Sequence, residues 1–268
     1  MAAINLPVNE IIIPLFFPQS SIVSRNTAVE HYFCKVPVLH IEFMRFTYYG
    51  HSCFMIETAG KKLLFDPFIT GNNKAKHIDI NSIQADYILQ SHGHGDHIAD
   101  LVPIAKNTGA MVIANAEIAH WAEKHGIKNV HPMNFGPKAF EFGKVRMVPA
   151  AHSSSLPDGS YAGNPGGFIV TTSEGSFYYT GDTCLTSDLK LVPHYGKLDF
   201  AVMPVGGNYT MDPDDAMIAS DFIQCNRVVG VHYNTWPIID IDTNKAQAAF
   251  KAAGKELHLP AIGETIEL

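Results

Sequence analysis

His92-Gly93-His94-Gly95-Asp96-His97 places four metal-capable side chains within six residues. Imidazole and carboxylate are the ligand types expected for zinc, manganese or iron. On a helix, His92 and His94 would point to different faces, and on a strand His97 would leave the face those two share. A tight loop lets all four converge, with Gly93 and Gly95 expected to supply positive φ values. The competing reading is a solvated His-rich loop. The flanking residues argue against it: 85–91 reads as a buried strand ending at the motif, and 98–105 as an amphipathic helix beginning there. Strand-to-helix junctions are where α/β folds place their chemistry.

Further metal-capable residues recur at the ends of apolar runs. Residues 45–49, 53–58 and 62–65 read as a β-meander closed by Asp66-Pro67. The run 145–151 delivers His152, a hairpin of 167–172 and 177–180 delivers Gly181-Asp182-Thr183, and 227–231 delivers His232. Between them, 111–114 and 198–205 read as strands, and 116–124 and 245–253 as helices. A further helix starts at Asp212-Pro213-Asp214-Asp215, with an acid at the N-cap and proline at the first helical position. A short strand ends the chain. A lone histidine after a strand is usually structural, as is a Gly-Asp-Thr turn, so the weight lies on their order after the His motif. The alternation predicts an α/β or α+β fold with mixed sheets.

The chain has 268 residues, 46% of them hydrophobic, enough for a large domain. Its net charge of -7 and lack of a long basic run argue against a nucleic-acid partner. No apolar stretch has the length of a membrane span, and the apolar segment 11–17 has no preceding basic residue to make it a signal peptide. Cys34, Cys53, Cys184 and Cys225 show no paired spacing and read as reduced thiols in a cytoplasmic protein, Cys184 as a buried, inert one. Residues 1–43 lack clear periodicity. They are expected to be a peripheral extension or to precede a true start at Met44, with 44–268 forming the domain.

Residues 44–268 resemble the metallo-β-lactamase superfamily, through His92, His94, Asp96 and His97 followed by His152, Asp182 and His232, with Asp66 at the earlier strand end. A narrower resemblance is to the UPF0173 metal-dependent hydrolases, which are similar to the ascorbate-6-phosphate lactonase branch. It is carried by Tyr49-Gly50-His51-Ser52-Cys53-Phe54, Asp66-Pro67-Phe68-Ile69-Thr70-Gly71-Asn72, Gly206-Gly207-Asn208-Tyr209-Thr210-Met211 and His232-Tyr233-Asn234-Thr235. The resemblance implies a four-layer αββα sandwich and two divalent metal ions, zinc in the first instance, with manganese or iron as alternatives. It implies that His92, His94 and His152 hold one ion, that Asp96, His97 and His232 hold the other, and that Asp182 bridges them. The implied activity is hydrolysis, by a metal-held hydroxide, of a lactone, other ester, amide or phosphoester in a small molecule, with Asp96 as the catalytic carboxylate. Asp66, His51, Asn208 and Thr210 are candidates for supporting the ligands or touching substrate. Two alternatives stay open: an iron-containing oxidoreductase of the same fold, and a non-catalytic metal-binding module. Homo-oligomerisation is also left open.

Overall fold

Side chains alternate across a strand, and in this chain both faces of most strands are apolar, so each sheet must be covered twice. The computed structural model describes residues 43–268; the readings made for residues 1–42 lie outside the described residues. The strands are β1 (Arg45–Gly50), β2 (Cys53–Thr58), β3 (Lys61–Phe65), β4 (Tyr87–Leu89), β5 (Met111–Asn115), β6 (Val130–Met133) and β7 (Pro137–Phe140). They continue with β8 (Gly143–Pro149), β9 (Gly166–Thr171), β10 (Ser176–Tyr179), β11 (Phe200–Pro204), β12 (Arg227–Val231), β13 (Glu256–His258) and β14 (Thr265–Glu267). The helices are α1 (Gly95–Ile98), α2 (Leu101–Thr108), α3 (Ala116–Lys124), α4 (Pro213–Phe222) and α5 (Thr243–Ala252). Two seven-stranded sheets result, ordered β14-β1-β2-β3-β4-β5-β6 and β13-β12-β11-β10-β9-β8-β7.

The period of two sorts the core into three interlayer contacts. Phe54, Phe65, Phe168, Phe177, Tyr179 and Phe200 fill the space between the sheets. Their neighbours Cys53, Met55 and Leu64 face the other way, onto Leu101 and Ile104 of α2 and Ile118 of α3. Ala201, Met203 and Val228 pack against Ala216 of α4 and Ala246 and Phe250 of α5. Helix, sheet, sheet, helix is the expected αββα sandwich. Each buried aromatic contributes about 1.5–3 kcal/mol, so the inter-sheet layer is the main anchor of the fold.

Topology then brings the chemistry to one edge. Strands β3, β4 and β5 run parallel, while β1–β2 and β2–β3 are antiparallel pairs. The β1–β2 turn therefore lies at the same edge as the ends of β3 and β4, which carry His51, Asp66 and His92 there. In the second sheet β10, β11 and β12 are parallel. Strand β9 is antiparallel to both β10 and β8, so β8 ends alongside β10 and β12. His152, Asp182 and His232 follow those three ends. The backbone N–H of His232 donates to the carbonyl of His51 (2.8 Å), stitching the two sheets at this edge.

The structure departs from the sequence reading in several places. The helix expected over 98–105 is two helices broken around Asp100. The Asp100 carboxylate accepts the backbone N–H groups of Ile69 (2.6 Å) and Thr70 (2.8 Å) and the Thr70 hydroxyl. Holding that loop takes precedence over continuing the helix. Neither Gly93 nor Gly95 has positive φ. Gly93 is needed for close packing instead, since a Cβ there would stand 2.4 Å from the Ala162 Cβ and 3.0 Å from the Ser155 carbonyl oxygen. Strands β6, β7 and β13 and the 3-10 segment Ser187–Tyr195 were not anticipated. Cys184 is exposed, not buried.

Met44 is 2% exposed, and its carbonyl accepts the N–H of Leu268 (2.9 Å). The described fold thus closes on itself at Met44. A chain beginning at Met44 is expected to melt within a few degrees of the full-length chain; a larger fall, or aggregation, would make the preceding segment part of the fold.

Candidate metal centre

Of the histidines and carboxylates brought to this edge, three adopt left-handed backbone: His51 (φ 56), Asp66 (φ 41) and His232 (φ 55). Such conformations persist where the surroundings over-determine them, and they cluster at functional sites. At His232 the packing is explicit: a Cβ on Gly206 would lie 2.1 Å from the His232 carbonyl oxygen, so only glycine fits beside it.

His92 follows β4, and His94 is the N-cap of the single-turn helix α1, which carries Asp96 and His97. The helical turn, and not a continuous loop, swings Asp96 and His97 back towards His92. Ligand atoms of His92, His94 and His152 converge within 4.8 Å of one another, as do those of His51, Asp96, His97 and His232. Asp182 lies between the groups. Its Oδ2 is 3.0 Å from His232 Nε2, 3.2 Å from His97 Nε2 and 3.6 Å from His152 Nε2. All seven residues expected as ligands are thus gathered in one place.

Asp66, Asp96 and Asp182 are anchored differently. Asp66 is fully buried and takes four donors: the Ser91 N–H (2.7 Å), the Ser91 hydroxyl, His97 Nδ1–H (2.9 Å) and the Tyr179 hydroxyl (2.7 Å). Because the Ser91 proton goes to Asp66, the Ser91 oxygen accepts from His92 Nδ1 (2.9 Å). This fixes the tautomer of His92 and leaves its Nε2 lone pair facing the cluster. Asp96 Oδ2 accepts from His51 Nε2 (3.0 Å), while His51 Nδ1 meets the Thr235 hydroxyl (2.8 Å). Sequence reading had not singled out Ser91 or Tyr179, and had quoted Thr235 only within the motif His232-Tyr233-Asn234-Thr235. Ser91 precedes the first ligand and Tyr179 alternates inward on β10, so both carried a positional signal.

The electrostatics follow from burial and mutual charge. Burial, then the neighbouring imidazoles, lowers the pKa of His51 to about 3, so its contact with Asp96 is a hydrogen bond to a neutral ring and not an ion pair. Burial also lowers His92, His94 and His152, which keeps them in the neutral, ligating form. His97 behaves oppositely: burial disfavours its charge, but Asp182 and Asp66 outweigh burial and raise its pKa. Asp182 and Asp96 are both held ionised. For Asp182, His232 and His97 overcome burial; for Asp96, the His51 hydrogen bond and His97 do.

His97 Nε2 and Asp182 Oδ1 are buried without a hydrogen-bond partner. Orphaned polar atoms in a buried site carry a large desolvation cost. A ligand-rich set with unpaired atoms facing inward fits divalent cations, which would satisfy both at once.

The remaining candidates are Asn208 and Thr210. Asn208 is exposed, with φ 57, and the buried Thr210 turns its hydroxyl back to the Met211 carbonyl (3.4 Å). Neither hydrogen-bonds to the cluster. Cys184 is tied to the His152 loop through its backbone, its N–H donating to the Ala151 carbonyl (3.2 Å).

The β-lactamase superfamily domain matches residues 45–232. A UPF0173 metal-dependent hydrolase of Flavobacterium johnsoniae is 52% identical over 226 residues, which span 84% of this chain and all of that protein. The chain belongs to the UPF0173 metal-dependent hydrolase family. The structure of a metallo hydrolase from the archaeon Ignicoccus hospitalis superposes with a TM-score of 0.77 at 30% identity, covering 85% of this chain and 99% of that one. An isothiocyanate hydrolase from Delia radicum gut bacteria shares the fold at 17% identity, with a TM-score of 0.69 and coverage of 84% and 99%. Membership fits the two ligand clusters, and among the described residues no helix is long and apolar enough to cross a membrane.

Proposed function

We propose that this UPF0173 member is a dinuclear metal hydrolase of a small molecule carrying a lactone, other ester, amide or phosphoester bond. The observation that carries the reading is Asp182, one buried carboxylate oxygen set against imidazoles of both histidine groups. In this reading His92, His94 and His152 hold one ion, Asp96, His97 and His232 hold the second, and Asp182 is shared. Bound divalent ions would supply Lewis acidity, activating water and polarising the bond to be cleaved. Zinc suits the imidazole-rich set best, with manganese and iron as alternatives.

The protein's own contribution is orientation and proton handling. Asp66 fixes His97 and, through Ser91, His92. It is itself saturated by its four donors and so is a support and not a ligand. Both ring nitrogens of His51 are likewise engaged, which makes His51 the residue that orients Asp96. Asp96 retains 28% side-chain exposure against 2% for Asp182. Of the two carboxylates, Asp96 is therefore the one that reaches substrate, and its ionised oxygen not held by His51 can take the proton released from the attacking water and pass it to the leaving group.

Chain reconstituted with zinc, manganese or ferrous iron should turn over at least one member of a panel of lactones, esters, amides and phosphoesters. Asp96→Asn at equal metal content should lower kcat by about a hundredfold or more, the scale of losing a positioned acid–base group. Near-normal turnover in that variant would remove Asp96 from the reaction. No hydrolysis of any class by metal-loaded chain would contradict the hydrolase reading.

A further inference from the structure

The loop that follows His152 closes over the histidine motif through two serines. Ser154 Oγ accepts the Gly93 N–H (3.1 Å), and Ser153 Oγ lies 3.3 Å from His94 Nε2. The loop is anchored on both sides of these residues. Before them, the Ala151 N–H donates to the Thr183 hydroxyl (3.1 Å). After them, the Leu156 N–H donates to the Ser160 carbonyl (2.8 Å), and Ser155 pairs with Tyr161 as an antiparallel bridge. Ser153 is exposed and fills no core position, so packing does not account for its contact with the His94 ring.

The two ring nitrogens of His94 face different partners. Nδ1 lies 3.0 Å from His92 Nε2, on the side where the His152 ring stands 5.1 Å from that of His94. His92 Nε2 presents a lone pair, because its Nδ1–H is given to Ser91. Two imidazole nitrogens this close share either a proton or a common cation. For His94 to ligate beside His92, its Nδ1 must be bare. The one N–H of the neutral ring is then on Nε2, and Ser153 Oγ is the acceptor placed at that nitrogen. A ligating histidine whose other N–H is held keeps its tautomer and its ring orientation.

We propose that Ser153 is a positioning residue of the metal centre: its hydroxyl accepts from His94 Nε2–H and so turns the Nδ1 lone pair towards the ion shared with His92 and His152. The inference rests on the reading that these three histidines hold an ion. It gives that ion's ligands a support from each sheet. Asp66, after β3, acts through Ser91 on His92, and Ser153, after β8, acts on His94. The other group has separate supports, since Asp66 holds His97 and His51 holds Asp96. Ser153 therefore bears on one ion of the two.

The test is competition between full-length chain and a chelator for zinc, with nitrogen NMR of the imidazole rings in the zinc-loaded chain. Ser153→Ala should weaken one zinc by about tenfold or more, the range for losing a group that orients a ligand, and leave the other unchanged. Ser153→Thr keeps the hydroxyl and should restore the affinity. In the loaded parent chain the His94 ring, assigned by loss of its signals in His94→Gln, should carry its proton on Nε2. That proton signal should fade in Ser153→Ala as the nitrogen opens to exchange with water. Because Ser153 is exposed, the variants should fold like the parent. Parent-like zinc affinity in Ser153→Ala, equal weakening of both ions, no recovery in Ser153→Thr, or a proton on His94 Nδ1 in the loaded chain would each overturn the proposal. The expected weakening in a chain that cleaves no member of the substrate panel would count against the hydrolase reading and leave Ser153 its role. A parent chain that takes up no zinc would remove the metal centre and this role with it.

Discussion

Asp182→Asn is expected to lower affinity for at least one metal ion by well over a hundredfold and to abolish measurable turnover. Changing a group that merely supports a ligand commonly costs 10–100-fold in affinity or activity, and Asp182 is placed closer than that. Its Oδ2 stands within 3.6 Å of three imidazole nitrogens. The amide keeps the shape but loses the negative charge that His232 and His97 stabilise against burial. The protein should still fold, because the inter-sheet aromatics do not depend on Asp182. Metal affinity read by competition with a chelator, alongside circular dichroism, separates the outcomes. Affinity within a few-fold of the parent, in a folded variant, would remove Asp182 as the shared ligand.

Asp66→Ala is expected to have the largest effect on stability. Removing this carboxylate leaves the Ser91 N–H, the Tyr179 hydroxyl and His97 Nδ1–H without their acceptor inside a fully buried site. Breaking a buried charge pair by deleting one partner costs about 3–5 kcal/mol. For a domain of this size that corresponds to a fall in Tm on the order of 10 °C. Asp66→Asn should also destabilise, because its amide must present donors to groups that are themselves donors. Metal affinity should fall in both variants as His97 loses its orientation. A Tm within two or so degrees of the parent in Asp66→Ala would show that water or a neighbouring group replaces the carboxylate at little cost, against the scale expected for a buried pair.

Much of this was legible in the sequence because the chemistry falls where patterns are strongest. The ligand candidates stand at the ends of apolar runs, and the period of two in β2, β3, β10 and β11 separates inter-sheet aromatics from helix-facing residues. The N-cap at Asp212 was equally readable, since its side chain accepts the Asp215 N–H. What was missed depended on tertiary contacts. Strands β6 and β7 are short edge elements containing Pro132 and Pro137, which demote a segment when propensity is judged alone. The break at Asp100 is imposed by a loop some thirty residues earlier. Gly93 is required by the approach of Ala162 and Ser155, which no local pattern announces. Cys184 was expected to be inert and buried, but the segment after Asp182 hydrogen-bonds to the His152 loop through its backbone and leaves the thiol outside.

The central claim is that two histidine groups share one carboxylate to form a two-ion centre. Elemental analysis of chain purified without chelator and then saturated with zinc or manganese tests it most directly. The account predicts a value approaching two ions per chain, falling towards one in His152→Ala as the group of His92, His94 and His152 loses a ligand. Saturation of the parent chain at one ion would contradict it.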